Sequence, residues 1–131
     1  MVSVQDQNYT RTSLKPSHLW LYMKDIERSI SFYQNTLGLQ ILQSFPDGAL
    51  FRGDILIGIH KEEGERKSRP GGILVTFQTD DIVATRKELE HKGVTFLNSK
   101  VQSASFGQFA DFLDPDGYVL EIWQPPKRQS K

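Results

Sequence analysis

The chain repeats its own punctuation. An acidic cap followed by isoleucine stands at Asp25-Ile26 and again at Asp81-Ile82. A glycine closes the helical stretch that follows, at Leu37-Gly38-Leu39 and again at Lys92-Gly93-Val94. Both pairs lie about 56 residues apart, the kind of period that marks a duplicated supersecondary unit. The last apolar runs of the two halves also correspond, LIGIH at 56–60 with VLEIW at 119–123. A duplication of this length confines the fold to two similar modules, and each module has to be read from its local signals.

In the first half, KDIERSISFYQNTLGL predicts a helix. Asp25 is the cap, Glu27 lies in the first turn, and Ile26, Ile30, Tyr33 and Leu37 recur at helical spacing. Gly38 stands where a left-handed stop belongs. Before the helix comes the strand HLWLYM. After it come LQILQSF, GALFR and DILIGIH, separated by turns at Pro46-Asp47-Gly48 and Gly53-Asp54. The polar run KEEGERKSRPGG connects the halves. In the second half, GILVTFQT predicts a strand, and DDIVATRKELEHKGV a helix capped by Asp80 or Asp81. VTFL, FGQFADFL and GYVLEIWQ predict strands, the last two joined at Asp114-Pro115-Asp116-Gly117. The segment NSKVQSASFGQ, small and polar, reads as a loop. Each half is thus strand–helix–strand–strand–strand.

Composition limits the function classes. In 131 residues, 16 basic side chains balance 16 acidic ones, which removes the electrostatic footprint of a nucleic-acid binder. There is no cysteine, hence no disulfide, thiolate nucleophile or cysteine-based zinc site. No apolar stretch reaches the ~20 residues needed to span a bilayer, and the first residues lack the apolar run of a signal peptide. A cytoplasmic protein with no membrane partner is expected. Residues 1–13 read as a flexible tail, 14–125 as a single domain (module one 14–62, module two 71–125), and 126–131 as a second tail.

The strand HLWLYM carries an unusual face. Side chains alternate along a strand, so Leu19, Leu21 and Met23 share one side, and His18, Trp20 and Tyr22 the other. Alternation elsewhere places Leu56, Gly58 and His60, then Leu74, Thr76 and Gln78, then Val119, Glu121 and Trp123 on the corresponding faces. An imidazole, an indole and a phenol in a row suit either a polar-edged surface or the lining of a small-molecule site.

The phrases D-x-x-R-S-x-x-F-Y-x-x-x-L-G, opening the first module, and D-P-D-G-x-x-x-E, closing the second, resemble the vicinal oxygen chelate superfamily. That is the group of glyoxalase I, bleomycin-resistance proteins, fosfomycin-resistance enzymes and extradiol dioxygenases. The resemblance covers about residues 14–125. It implies an α+β fold of tandem βαβββ modules whose curved sheets form an open cup, and a homodimer in which the partner sometimes completes the cup. In the metal-dependent members, the first and last strands of each module supply the site. Carried over, the first-strand positions are His18 and Leu74, and the last-strand positions Gly58 and Glu121. Leu74 and Gly58 have no ligating side chain.

Two functions are compatible with this reading. One is a metal-assisted lyase, isomerase, transferase or dioxygenase-type enzyme on a small metabolite. His18 and Glu121 then serve as catalytic residues or metal ligands, with His60 as the third ligand of a single divalent ion (Zn, Mn, Mg, Ni or Fe). The other is a metal-free protein that sequesters a small compound, as bleomycin-resistance proteins do. In both, Trp20, Tyr22, His60, Thr76, Trp123 and Arg52 are candidate substrate-binding residues. His91, near a helix end, is assigned no function.

Overall fold

A computed structural model describes residues 13–127. Most of the two predicted tails, residues 1–12 and 128–131, lies outside the described residues. The chain folds as two mixed sheets of four strands, each with one helix. The first half contains β1 (His18–Met23), α1 (Ile26–Ser31), β2 (Ile41–Phe45), β3 (Gly48–Phe51) and β4 (Leu56–Lys61). The second contains β5 (Leu74–Gln78), α2 (Ile82–His91), β6 (Gln102–Ala104), β7 (Gly107–Leu113) and β8 (Val119–Gln124). Strand order is β1-β4-β3-β2 in one sheet and β5-β8-β7-β6 in the other. The two orders are the same order written twice.

The helix signals act as expected from their chemistry. The Asp25 carboxylate accepts from the Arg28 amide at 3.1 Å, and Asp81, rather than Asp80, accepts from the Ala84 amide at 3.1 Å. Each satisfies a donor left free at a helix start. Gly38 and Gly93 take the positive φ values, 77° and 97°, that stop the helices. The first helix is shorter than its pattern predicts: after Ser31 it widens into a π turn over Phe32–Thr36. That turn leaves Tyr33 wholly buried and aimed at the second module.

One strand is misplaced by sequence reasoning. VTFL makes only an isolated bridge, Phe96 with Phe112, and the edge strand β6 instead lies within the segment read as a loop. Val94 and Phe96 are buried core, so their apolar spacing reports burial rather than a ladder. Phe96 carries the Arg86 guanidinium 4.6 Å above its ring.

A single core joins the two modules. Leu21, Met23, Ile59 and Tyr33 from the first pack in one cluster with Phe112, Leu120 and Ile122 from the second. Polar contacts lock the β7–β8 turn onto the first module. Tyr33 donates its hydroxyl to Asp114 Oδ2 at 2.7 Å, and Asp114 Oδ1 accepts from the amides of Asp116 and Tyr118 at 2.8 and 2.9 Å. Asp116 accepts from the Lys24 amide and from the Arg28 guanidinium, and the Tyr118 hydroxyl donates to the Tyr22 carbonyl at 3.1 Å. Burial raises the Asp114 pKa above the ordinary carboxylate range, while the bond from Tyr33 and the two amides pull it back. Burial, and then the neighbouring Asp114 carboxylate, push the Tyr33 phenol well above its usual range.

Candidate functional site

The outward faces of the two sheets are built on the same lattice and filled with different chemistry. In the first sheet Trp20 pairs with Gly58, and Gly58 with Leu50. In the second, Thr76 pairs with Glu121, and Glu121 with Asp111. Gly58 and Glu121 are therefore equivalent positions, as the match of LIGIH with VLEIW requires.

On the first sheet the equivalent triplet is apolar. Trp20 folds its indole over the Gly58 α-carbon so closely that a β-carbon there would sit 2.5 Å from ring atoms Cε3 and Cζ3. A glycine in a strand interior commonly marks such an approach. Around the indole stand His18 at 5.3 Å between ring centres and His60 at 6.1 Å, both edge-to-face, and Phe45 at 6.0 Å. Tyr22 meets His60 at 6.0 Å. His18 Nδ1 shares a 2.8 Å hydrogen bond with the Ser17 hydroxyl. His60 Nδ1 lies 2.7 Å from the Lys61 carbonyl oxygen. A carbonyl only accepts, so in the neutral ring Nδ1 carries the proton and Nε2 presents its lone pair.

On the second sheet the triplet is polar. Thr76 donates its hydroxyl to Glu121 Oε1 at 3.0 Å. Desolvation raises the Glu121 pKa first, and the adjacent Asp111 carboxyl raises it further, against the Thr76 bond that lowers it. Among the described residues the buried Asp111 Oδ1 has no hydrogen-bond partner. The Asp111 backbone is fixed by Asn98, whose side-chain oxygen accepts its amide at 2.7 Å. Trp123 donates its indole N–H to the Phe106 carbonyl at 2.8 Å. Thr76 and Trp123 line a cleft of about 590 Å³ with Arg52, Ile55, Leu74 and Gln78.

The structure thus brings His18, Trp20, Tyr22 and His60 together, and separately Thr76 and Glu121. Among the described residues no hydrogen bond or ring contact joins His18 to Glu121: the first meets Ser17 and Trp20, the second Thr76 and Asp111. Nor do three or more His, Asp or Glu side chains gather as a metal site among the described residues. The trio of His18, Glu121 and His60 is not assembled within one chain. Strand parity identifies the face on which a side chain lies, but not which other sheet that face meets. Sequence reasoning missed Asp111, although parity across the Asp114–Gly117 turn places it beside Glu121. It also missed Phe45, which only the β2–β3 pairing brings to Trp20.

Comparison with known proteins bears on the same lattice. The family model of the Glyoxalase/Bleomycin resistance protein/Dioxygenase superfamily matches residues 15–122. The chain belongs to that superfamily. Among its members, glutathione transferase FosA of Serratia marcescens is 31% identical over 113 residues, covering 81% of this chain and 77% of FosA. The uncharacterized protein YraH of Bacillus subtilis (strain 168) is 29% identical over 126 residues, covering 85% of this chain and 98% of YraH. In three dimensions the chain is similar to TnmS3, an antibiotic binding protein from Streptomyces sp. CB03234. The TM-score is 0.73 at 23% identity, over 88% of this chain and all of TnmS3. At that identity the likeness shows the superfamily fold alone. No helix among the described residues is long and apolar enough to cross a membrane.

Proposed function

We propose that this superfamily member binds a small organic molecule on the aromatic face around Trp20, without a metal ion. The Trp20–Gly58 pair carries the reading. At the position where the resemblance expects a ligating side chain there is none, and an indole fills the space in which one would begin. Leu74 is aliphatic, and His60 stands among the Trp20 and Tyr22 rings while Glu121 pairs with Thr76 on the other sheet. This donor set does not fit the three protein ligands of a catalytic zinc. What it offers is a half-exposed aromatic surface with a few placed polar atoms, the ordinary composition of a small-molecule site.

An enzymatic reading has one observation of its own, the Thr76–Glu121–Asp111 cluster. A carboxyl with a raised pKa beside a second carboxylate is suited to acid–base work, and FosA, a named transferase, is among the relatives. Pairing of two chains is compatible with either reading. The edge strands β1 and β5 leave Leu19 and Leu74 exposed at 46% and 52%, and a second copy is the partner the resemblance suggests. The cysteine-free sequence suits a reducing cytoplasm.

The test is a thermal-shift screen of aliphatic, sugar-phosphate and aromatic compounds, with and without EDTA, on wild type and Trp20→Leu. Ligands that bind the folded state raise its melting temperature. The expected result is a shift indifferent to EDTA and lost in the variant. Stoichiometric retention of zinc or manganese after dialysis, abolished by His18→Ala, would overturn the metal-free reading.

A further inference from the structure

We propose a second binding site on the helix side of the molecule, a groove between the two modules that takes a medium-chain aliphatic carboxylate and pairs its head group with Lys92. The groove shares no residue with the aromatic face around Trp20, so it stands apart from the function proposed above.

The groove encloses about 450 Å³ between the end of the π turn and α2. Its apolar wall comes from both modules. Leu37 and Leu39 follow the π turn, Phe77 lies near the end of β5, and Leu89 is on α2. Leu37, Leu39 and Phe77 pack against the core on one side and stay half-exposed on the other. A wall of this kind favours an aliphatic chain, since each methylene that leaves water gains free energy.

Hydrogen-bonding groups stand at the two ends. At one end the Thr79 and Thr85 hydroxyls share a 2.6 Å bond. At the other is the Lys92 ammonium. Thr85 and Lys92 are two helical turns apart, so the ends are separated by about 10 Å along α2, the length of a chain of about eight carbons.

The charge of the head group follows from Lys92. Its side chain reaches from the end of α2 to the first module. There Nζ lies 3.4 Å from the Asn35 and Thr36 carbonyl oxygens, and it lies 3.6 Å from the Glu88 carboxylate. All three separations exceed the roughly 2.7–2.9 Å of a charge-assisted bond. Glu88 is well exposed, and exposed pairs one turn apart on a helix contribute little. A carboxylate delivered by an apolar chain is less solvated than Glu88 and takes over the ammonium. An amine in the same place meets a like charge.

The test is titration of ¹⁵N-labelled protein, followed by amide NMR, with octanoate, hexanoate, 1-octanol and octylamine. Octanoate is expected to shift the amides of Leu37, Thr79, Thr85 and Lys92. It is expected to bind about 3- to 10-fold more tightly than 1-octanol, and about tenfold more tightly than hexanoate, which lacks two methylenes. Octylamine is expected to bind more weakly than either eight-carbon probe. Lys92→Gln is expected to erase the preference for octanoate over 1-octanol. Glu88→Gln, which removes the competing carboxylate, is expected to tighten octanoate by about twofold. Melting temperatures confirm that the variants are folded, and the head-group comparison in wild type holds even where Lys92→Gln does not fold. Octylamine binding more tightly than octanoate, or a preference that survives Lys92→Gln, overturns the proposal. So do weaker binding in Glu88→Gln, shifts centred on the Trp20 indole N–H, and the absence of any shift at millimolar octanoate.

Discussion

Replacing Tyr33 with Phe removes one oxygen atom from the contact that ties the modules together. Tyr33 is fully buried and Asp114 is 4% exposed, so water does not replace the lost donor and Asp114 Oδ2 is left alone. Hydrogen bonds to charged acceptors contribute about 1.5–3 kcal/mol, and stranding a buried acceptor costs as much. The expected destabilisation is about 2 kcal/mol near pH 7, or a fall in urea midpoint of roughly 1–2 M at ordinary m-values. The pH dependence separates this mechanism from simple repacking. Burial holds the Asp114 pKa above its unfolded value, so the folded state keeps its proton longer. The stability linked to Asp114 is therefore full below the unfolded pKa, near 4, and is lost as pH rises through the folded pKa. The Tyr33 bond lowers the folded pKa, and its removal raises it further. The Tyr33→Phe penalty should then be larger at pH 7.5 than at pH 4.5, measured by urea denaturation of both proteins at each pH. A penalty under about 0.5 kcal/mol at neutral pH, or one that does not change with pH, would refute the reasoning.

Asp114→Asn should flatten the acid slope of wild-type stability, since an amide still accepts the two turn amides but does not titrate; urea midpoints across pH 4–8 check it. Gly58→Ala should cost about 1–3 kcal/mol through overpacking and red-shift the tryptophan emission as the Trp20 indole is pushed off the strand. Asp111→Asn should lower the Glu121 pKa, because the carboxylate beside it is one of the causes that raise it; carboxyl-carbon NMR titration reads this directly. Gly107→Ala should cost more than about 2 kcal/mol: φ is 127° and a β-carbon would run into the Gln124 carbonyl oxygen. Chemical denaturation measures that loss.

Much of this was legible in the sequence because the signals are local. A cap carboxylate and a positive-φ glycine act within one turn, so Asp25, Asp81, Gly38 and Gly93 could be placed from the chain alone. Alternation put Trp20, Gly58 and His60 on one face. What was not legible depends on neighbours distant in sequence. Val94 and Phe96 alternate like strand residues because they are buried, yet the ladder belongs to Gln102–Ala104. The π turn at Phe32–Thr36 goes with a contact from Tyr33 to Asp114, a partner in the other module that no local signal names. The separate grouping of His18 and Glu121 depends on how the two sheets are disposed, which a period of two residues does not encode.

The Trp20–Gly58 contact also ties two positions into one unit. In its present rotamer the indole leaves no room for a side chain at 58, since the β-carbon alone would sit 2.5 Å from the ring. A side chain installed at 58 therefore has to turn the indole off β4 before it can occupy the face. A change at either position is felt at the other, whereas the equivalent Thr76–Glu121 pair shares only a hydrogen bond, and each member can be varied with the other in place.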